Sequence, residues 1–416
     1  MILIMKRLNL FFAIIMAFFI SLFLFFLFFP PSNAMLSSQK SVLFLEGKDW
    51  FADFFNVMRY MSDEAGFYFS KINEYDGHSG FPIGRIFLYP LTLLVDYSHM
   101  SLQDCWTSKS AIFSCVAYLI ILIFFFWDSL NKVCEKYGVA KYNLLVLLFS
   151  SVFIFSLERA NGVFLPAILI NYYLLYYDSK NPNLKWFALV CLCFAAALKG
   201  YPVFFGLLLL KERRYKDIVF CIAFTLIIVF VPFAFLERGF ENLSKMIENT
   251  EKNNVAYLHN YIYLFGLHKL IYLVCLAFHL SESNIDVVIG FTRVAETFMG
   301  LYTFILVLAE DRLHRQLLLI ICAVLLMPIN SGFYCALFLF PVLLIFFSER
   351  KMERLDYVIV ALLCLVLNPF QIIIPYKLSQ IYLTPLLSNF AMAFMWILLL
   401  LSSTPKLKNV KLKNLL

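Results

Sequence analysis

A carboxylate opens the first long polar segment of the chain. It is Asp53, within Trp50-Phe51-Ala52-Asp53-Phe54-Phe55-Asn56. Val57-Met58-Arg59-Tyr60-Met61 follow, with apolar residues at near-helical spacing. That pattern predicts a short helix lying in a membrane interface, apolar side down, with Asp53 at headgroup depth. A carboxylate there can act as general base, taking the proton of a hydroxyl on a lipid-borne substrate. Capping the same helix is the plainer role for an Asp, and the two are compatible. Asp49 and Asp63 are rivals for the base, and Asp49 and Asp53 could share a divalent ion, although no metal cluster is legible.

Two more polar groups stand out against apolar surroundings. Glu158-Arg159-Ala160-Asn161-Gly162 offers an acceptor, a cation and an amide within one turn, a usable set of sugar or phosphate ligands or else a plain turn. Farther on, Lys199 interrupts an apolar stretch at Ala195-Ala196-Ala197-Leu198-Lys199-Gly200-Tyr201-Pro202. An ionisable side chain in such a stretch is expensive and marks a candidate site, here for an anionic headgroup. Gly200 and Pro202 break the helix beside it. The bland reading of Lys199 is a snorkelling side chain at a helix end.

The elements that must hold these residues are membrane helices. Of the 416 residues, 62% are hydrophobic and 15% charged, and the charges fall in short clusters between long apolar runs. A bilayer core of roughly 30 Å explains that layout. The expected fold is therefore an all-α polytopic membrane protein, 1–416 forming a single transmembrane domain. The net charge of +7 does not point to nucleic acid, because its Lys and Arg sit in short loops and in the basic tail 404–416. Most of the ten Cys lie in apolar runs and read as small hydrophobes, with neither a disulfide framework nor a zinc site.

The run 8–29 is read as a retained first span with a cytoplasmic N-terminus, since it exceeds a signal peptide's apolar core. The first extracytoplasmic loop is then 31–81, and a second large one is 237–260. Further spans are expected near 82–98, 110–130, 142–157, 160–177, 185–198, 201–210, 217–236, 261–280, 285–309, 316–328, 333–348, 357–374 and 381–403. Basic clusters at 211–214, 312–315 and 350–354 and the C-terminal tail belong inside. Charge parity then conflicts with the span count. The simpler repair makes 82–98 and 261–280 partly re-entrant or surface-lying rather than crossing; the alternative puts the 132–141 loop outside, against the charge rule. Segment 82–98 carries Arg85, Pro90 and Asp96, and 261–280 carries Gly266, His268 and Lys269.

In order and spacing these elements resemble the polyprenyl-phosphate-sugar-dependent mannosyl- and arabinosyltransferases of the GT-C superfamily of integral membrane glycosyltransferases. Asp53-Phe54-Phe55 matches the Asp-Phe start of that family's first loop, and the resemblance implies a catalytic base at Asp53. Glu158-Arg159-Ala160-Asn161 is close to its Glu-Arg-Gly-Asn-like turn. Lys199-Gly200-Tyr201-Pro202 matches its Lys-x-Tyr-Pro element. A Tyr-Pro-Pro-like element is degenerate here, at Gly80 to Arg85 and Tyr89-Pro90. The family's late Ser-Pro…His-Tyr element is represented only by 327–334, where Phe333 stands in place of His before Tyr334.

The resemblance implies a GT-C-like bundle of about 11–13 transmembrane helices whose first extracytoplasmic loop carries amphipathic helices. It implies donor-phosphate binding by Lys199 and Arg159. Sugar or acceptor contacts fall to Glu158, Asn161, Tyr201, His259, Asn260 and Tyr334. The partners implied are a polyprenyl-phosphate sugar, a lipid or glycan acceptor and the bilayer, with no nucleic acid, metal or cofactor. The setting implied is a bacterial plasma membrane, multi-pass with both termini cytoplasmic. Two other classes share parts of the pattern: a polysaccharide polymerase of the O-antigen type, and a lipid-linked glycan flippase. The polymerase would be expected to show Arg-rich outer loops, whereas 237–260 is mixed in charge. The flippase would show two-fold internal symmetry, which the sequence lacks.

Overall fold

The computed structural model describes residues 50–63, 66–70, 78–258, 263–349, 353–368, 373–376 and 379–407, with Phe12, Ile14, Met16, Ala17 and Ser21 before them. Most of the first span, Asp49, His259, Asn260 and the tail past Leu407 lie outside the described residues. Among the described residues five helices are long and apolar enough to cross a membrane: Lys109–Tyr137, Pro182–Lys199, Tyr215–Ala234, Glu282–Ala309 and Leu383–Leu407. The shortest has 18 residues, about 27 Å at 1.5 Å per residue, close to the hydrocarbon thickness. The architecture is thus all-α and of the polytopic membrane kind.

Other expected spans form shorter helices. Ile83–Thr92 has 10 residues and Leu267–Ala277 has 11, about 15 and 16 Å of rise, too little to cross alone. The 142–157 candidate divides into Tyr142–Leu148 and Ser151–Glu158. The 201–210 candidate is a 3-10 turn, Tyr201–Gly206, running into Leu207–Lys211. Much of 237–260 is one helix, Glu241–Leu258. Strand among the described residues is confined to two antiparallel pairs, Leu264–Phe265 with Ser331–Gly332 and Ile373–Tyr376 with Ser379–Tyr382.

The chain divides into two compact units. The first comprises 44–129 and 156–257. In it Phe164–Tyr176 and Tyr215–Ala234 pack on Pro182–Lys199, which presents buried Ala188, Ala195, Ala196 and Ala197. Small side chains let membrane helices approach closely. Polar pairs join Phe164–Tyr176 to Lys109–Tyr137: Asn171 Nδ2 donates to Ser129 Oγ at 2.9 Å, and Tyr172 donates to Asp128 at 2.8 Å. The Ala52–Ser62 helix buries Phe54, Phe55 and Met58 against Val95, Tyr97 and Leu119.

The second unit comprises 1–43, 130–155 and 258–416. Leu313–Leu326 is buried from His314 onward, and Leu339–Phe347 along its whole length. A stretch apolar on every side, as 317–326 and Leu339–Phe347 are, belongs in the interior, and these two helices form that unit's centre. Trp396 on Leu383–Leu407 is fully buried and satisfies its indole N–H on Thr303 Oγ1 at 2.8 Å. At one end of the Leu313–Leu326 helix Arg315 donates to Asp356 at 2.9 Å and to Glu353 at 2.7 Å.

Candidate active site

The first unit brings Asp53 together with the turn that lies 106 residues later. Arg159 donates to Asp53 Oδ1 through Nε at 3.1 Å and also through Nη2. Asn161 Nδ2 donates to Asp53 Oδ2 at 2.5 Å. The backbones are stitched as well: Phe51 N–H donates to Glu158 O at 2.6 Å and Asp53 N–H to Arg159 O at 3.2 Å. The first N–H groups of a helix have no partner within it, and here the carbonyls of the 158–159 turn supply one.

Local conformation explains how both strands of this contact are held. The residue before the Ala52–Ser62 helix is Phe51, at φ 57°, with no side-chain cap. Asp53 therefore does not cap the helix; it sits in the first turn, where a negative charge suits the helix dipole, and its carboxylate faces Arg159 and Asn161. On the other side Ala160 takes φ 47° and is buried. That left-handed residue turns the chain so that Arg159 and Asn161 address one carboxylate. Asn161 is fixed in turn by accepting the Val163 N–H at 2.9 Å.

The pair is not sealed. The Asp53 side chain keeps 21% of its surface and Arg159 25%. A carboxylate offers about four lone-pair positions, so Oδ2 retains capacity beside the Asn161 amide. A hydroxyl entering from solvent can share Oδ2 or displace that amide. Glu158 and Asn161 are themselves buried and shape the floor of the turn.

Other expected site residues fall differently. Lys199 is exposed at the last turn of Pro182–Lys199, where Gly200 at φ 67° ends the helix as the Gly-Pro pair predicts. Among the described residues it makes no hydrogen bond or ion pair, and it lies close enough to His78 to oppose protonation of that imidazole. Burial, the larger effect, and this ammonium together push His78 down to about 3. Tyr201 begins the 3-10 turn after Gly200. Tyr334 belongs to the second unit, stacked on Phe155 with ring centroids 6.3 Å apart. His259 and Asn260 lie outside the described residues. No group of three His, Cys, Asp or Glu that could hold a metal ion occurs among the described residues.

Two features escaped the sequence reading. In the second unit both Glu296 oxygens meet His268 Nδ1, at 2.9 and 3.1 Å, and Arg293 donates to Glu296 at 2.5 Å. Arg293 and Glu296, three apart inside the apolar run 285–309, were the available signal. In the first unit a cavity of about 930 Å³ opens at the far end of the Ala52–Ser62 helix, lined by Asp63, Arg85 and Arg238 among others. Asp53 does not line it. The Arg85 and Asp63 positions drew notice for other reasons, but nothing in the sequence joins them to Arg238.

Comparison with protein-family models, curated proteins and solved structures finds no match to this chain.

Proposed function

We propose that this protein is a membrane glycosyltransferase of the GT-C kind, moving a hexose or pentose from a polyprenyl-phosphate donor to a lipid or glycan acceptor. The observation that carries the reading is the grip of Arg159 and Asn161 on the two oxygens of Asp53. It joins two of the three sequence elements that suggested such an enzyme, and it leaves the carboxylate partly open.

In the proposed reaction Asp53 accepts the proton of the acceptor hydroxyl as that oxygen bonds to the anomeric carbon. The bond from that carbon to the donor phosphate breaks in the same displacement, its electron pair staying on the phosphate, and the anomeric centre inverts. A phosphate monoester is a weakly basic leaving group and needs no general acid. Arg159 orients the carboxylate, and Asn161 yields its place on Oδ2 to the incoming hydroxyl. Lys199, exposed and without an ion-pair partner among the described residues, is suited to the donor phosphate.

The test is transfer of radiolabelled sugar from polyprenyl-phosphate donors in membranes carrying equal amounts of wild type or Asp53→Asn. Loss of about 10²–10⁴-fold in rate is expected, the usual worth of a general base. Full activity in Asp53→Asn would remove the base assignment. Failure of the wild type with every donor would remove the transferase reading itself.

A further inference from the structure

The cavity at the other end of the Ala52–Ser62 helix has a chemistry of its own. Its volume, about 930 Å³, is in the upper range for small-molecule sites. Asp63, just past the helix, lines it, whereas Asp53 lies in the first turn. Ten residues of helical rise separate the two by about 15 Å. A ligand reaching from this cavity to Asp53 must be longer than one sugar.

The polar wall carries both signs of charge. Arg85 and Arg238 line it together with Asp63, Asp96 and Glu237, two cations and three carboxylates. Such a wall does not favour a plain anion; it offers donors and acceptors together, as a polyhydroxyl ligand requires. The two guanidiniums are held by rings: Arg238 lies 4.1 Å from the Phe69 centroid and Arg85 6.0 Å from that of Tyr89. Among the described residues neither donates to a carboxylate, so their N–H groups are available.

The rim is different. Leu93 and Phe235 line the cavity and are 72% and 85% exposed, on or beside the Ile83–Thr92 and Tyr215–Ala234 helices. Tyr215–Ala234 is, among the described residues, one of five helices fit to cross a bilayer, so a rim residue just past its end belongs at the membrane interface. A site polar within and apolar at the mouth fits a molecule with a sugar head and a hydrocarbon tail.

We propose that this cavity holds the lipid-proximal sugars of a lipid-linked oligosaccharide, the acceptor of the reaction above. This rests on the transferase reading and narrows it: the acceptor is a glycolipid of several sugars, and its far end reaches Asp53.

The experiment uses full-length Asp53→Asn protein in nanodiscs, where turnover is blocked, and a dodecyl maltotetraoside bearing a diazirine in its alkyl chain. Irradiation followed by peptide mass spectrometry locates the label. Label on 86–93 and 231–238 is expected, competed by dodecyl maltotetraoside and not by free maltotetraose or dodecyl phosphate. Arg85→Gln and Arg238→Gln, each with an unchanged melting midpoint, should reduce labelling about tenfold. Competition by free maltotetraose at equal concentration would overturn the lipid half of the proposal. Competition by dodecyl phosphate would replace the sugar head by an anionic one. Label elsewhere, no label, or indifference to both Arg variants would overturn the site. Because this readout needs no turnover, a base assignment that fails leaves it standing, and the converse also holds.

Discussion

Asp53 depends on a turn that contains a strained residue. Ala160 is buried at φ 47°, a region costing an L-residue roughly 1–2 kcal/mol. Ala160→Gly is expected to leave the site intact and stabilise by about 0.5–1 kcal/mol, while Ala160→Val should destabilise and weaken sugar transfer. Thermal unfolding in nanodiscs together with the transfer assay checks both. His78 supplies a pH prediction at the same scale. Its pKa is lowered to about 3, from about 6.5 in the unfolded chain, so between those values only the unfolded chain takes the proton. Stability is therefore complete above about pH 6.5 and falls as the pH drops toward 3. The ring keeps some solvent contact, which trims the loss to about 1 kcal/mol at pH 5. His78→Gln should flatten the difference between unfolding midpoints at pH 7 and pH 5, and an undiminished difference would assign it to other groups.

At the scale of elements, helix ends do more of the positioning than helix middles. Pro182–Lys199 stops because Gly200 adopts φ 67° and ψ −64°, which a side chain rarely allows. Gly200→Ala is expected to cost about 1–3 kcal/mol and to shift Lys199 from its place near His78. An unfolding midpoint equal to wild type would show that the break is not set by Gly200. Composition made this break legible, since Lys199-Gly200-Tyr201-Pro202 carries its own stop signal. The break at Phe149-Ser150 carries a quieter signal, Ser150 Oγ accepting the Phe153 N–H at 3.3 Å, while the passage from 3-10 to α-helix at Phe338-Leu339 carries no Gly, Pro or polar residue.

Over the whole molecule, buried charge is the costliest commitment. Arg315 is 2% exposed and Asp356 fully buried, and they join the Leu313–Leu326 and Arg354–Leu367 helices. Removing one partner strands the other in the interior. Asp356→Ala should cost about 3–5 kcal/mol, and replacing both residues by Leu should recover much of it. Unfolding midpoints of the single and double variants measure this, and a mild single-variant effect would mean that Glu353 alone satisfies Arg315.

Sequence alone determined the membrane class and most helix positions, because hydropathy is a local property and a bilayer demands helices of known length. It also marked Asp53, Arg159 and Asn161 individually, since a polar side chain beside an apolar run is conspicuous wherever the chain goes. That Arg159 and Asn161 close on Asp53, that Asp53 leaves the capping role, and that Arg85, Arg238 and Asp63 share a cavity were decided by tertiary structure. Each is a meeting of residues far apart in the chain. Apolar patterning says which face of a helix is buried, but not which distant turn will fill it. That choice belongs to side-chain shape, to the left-handed turns at Phe51 and Ala160, and to hydrogen bonds that form only once both segments are in place.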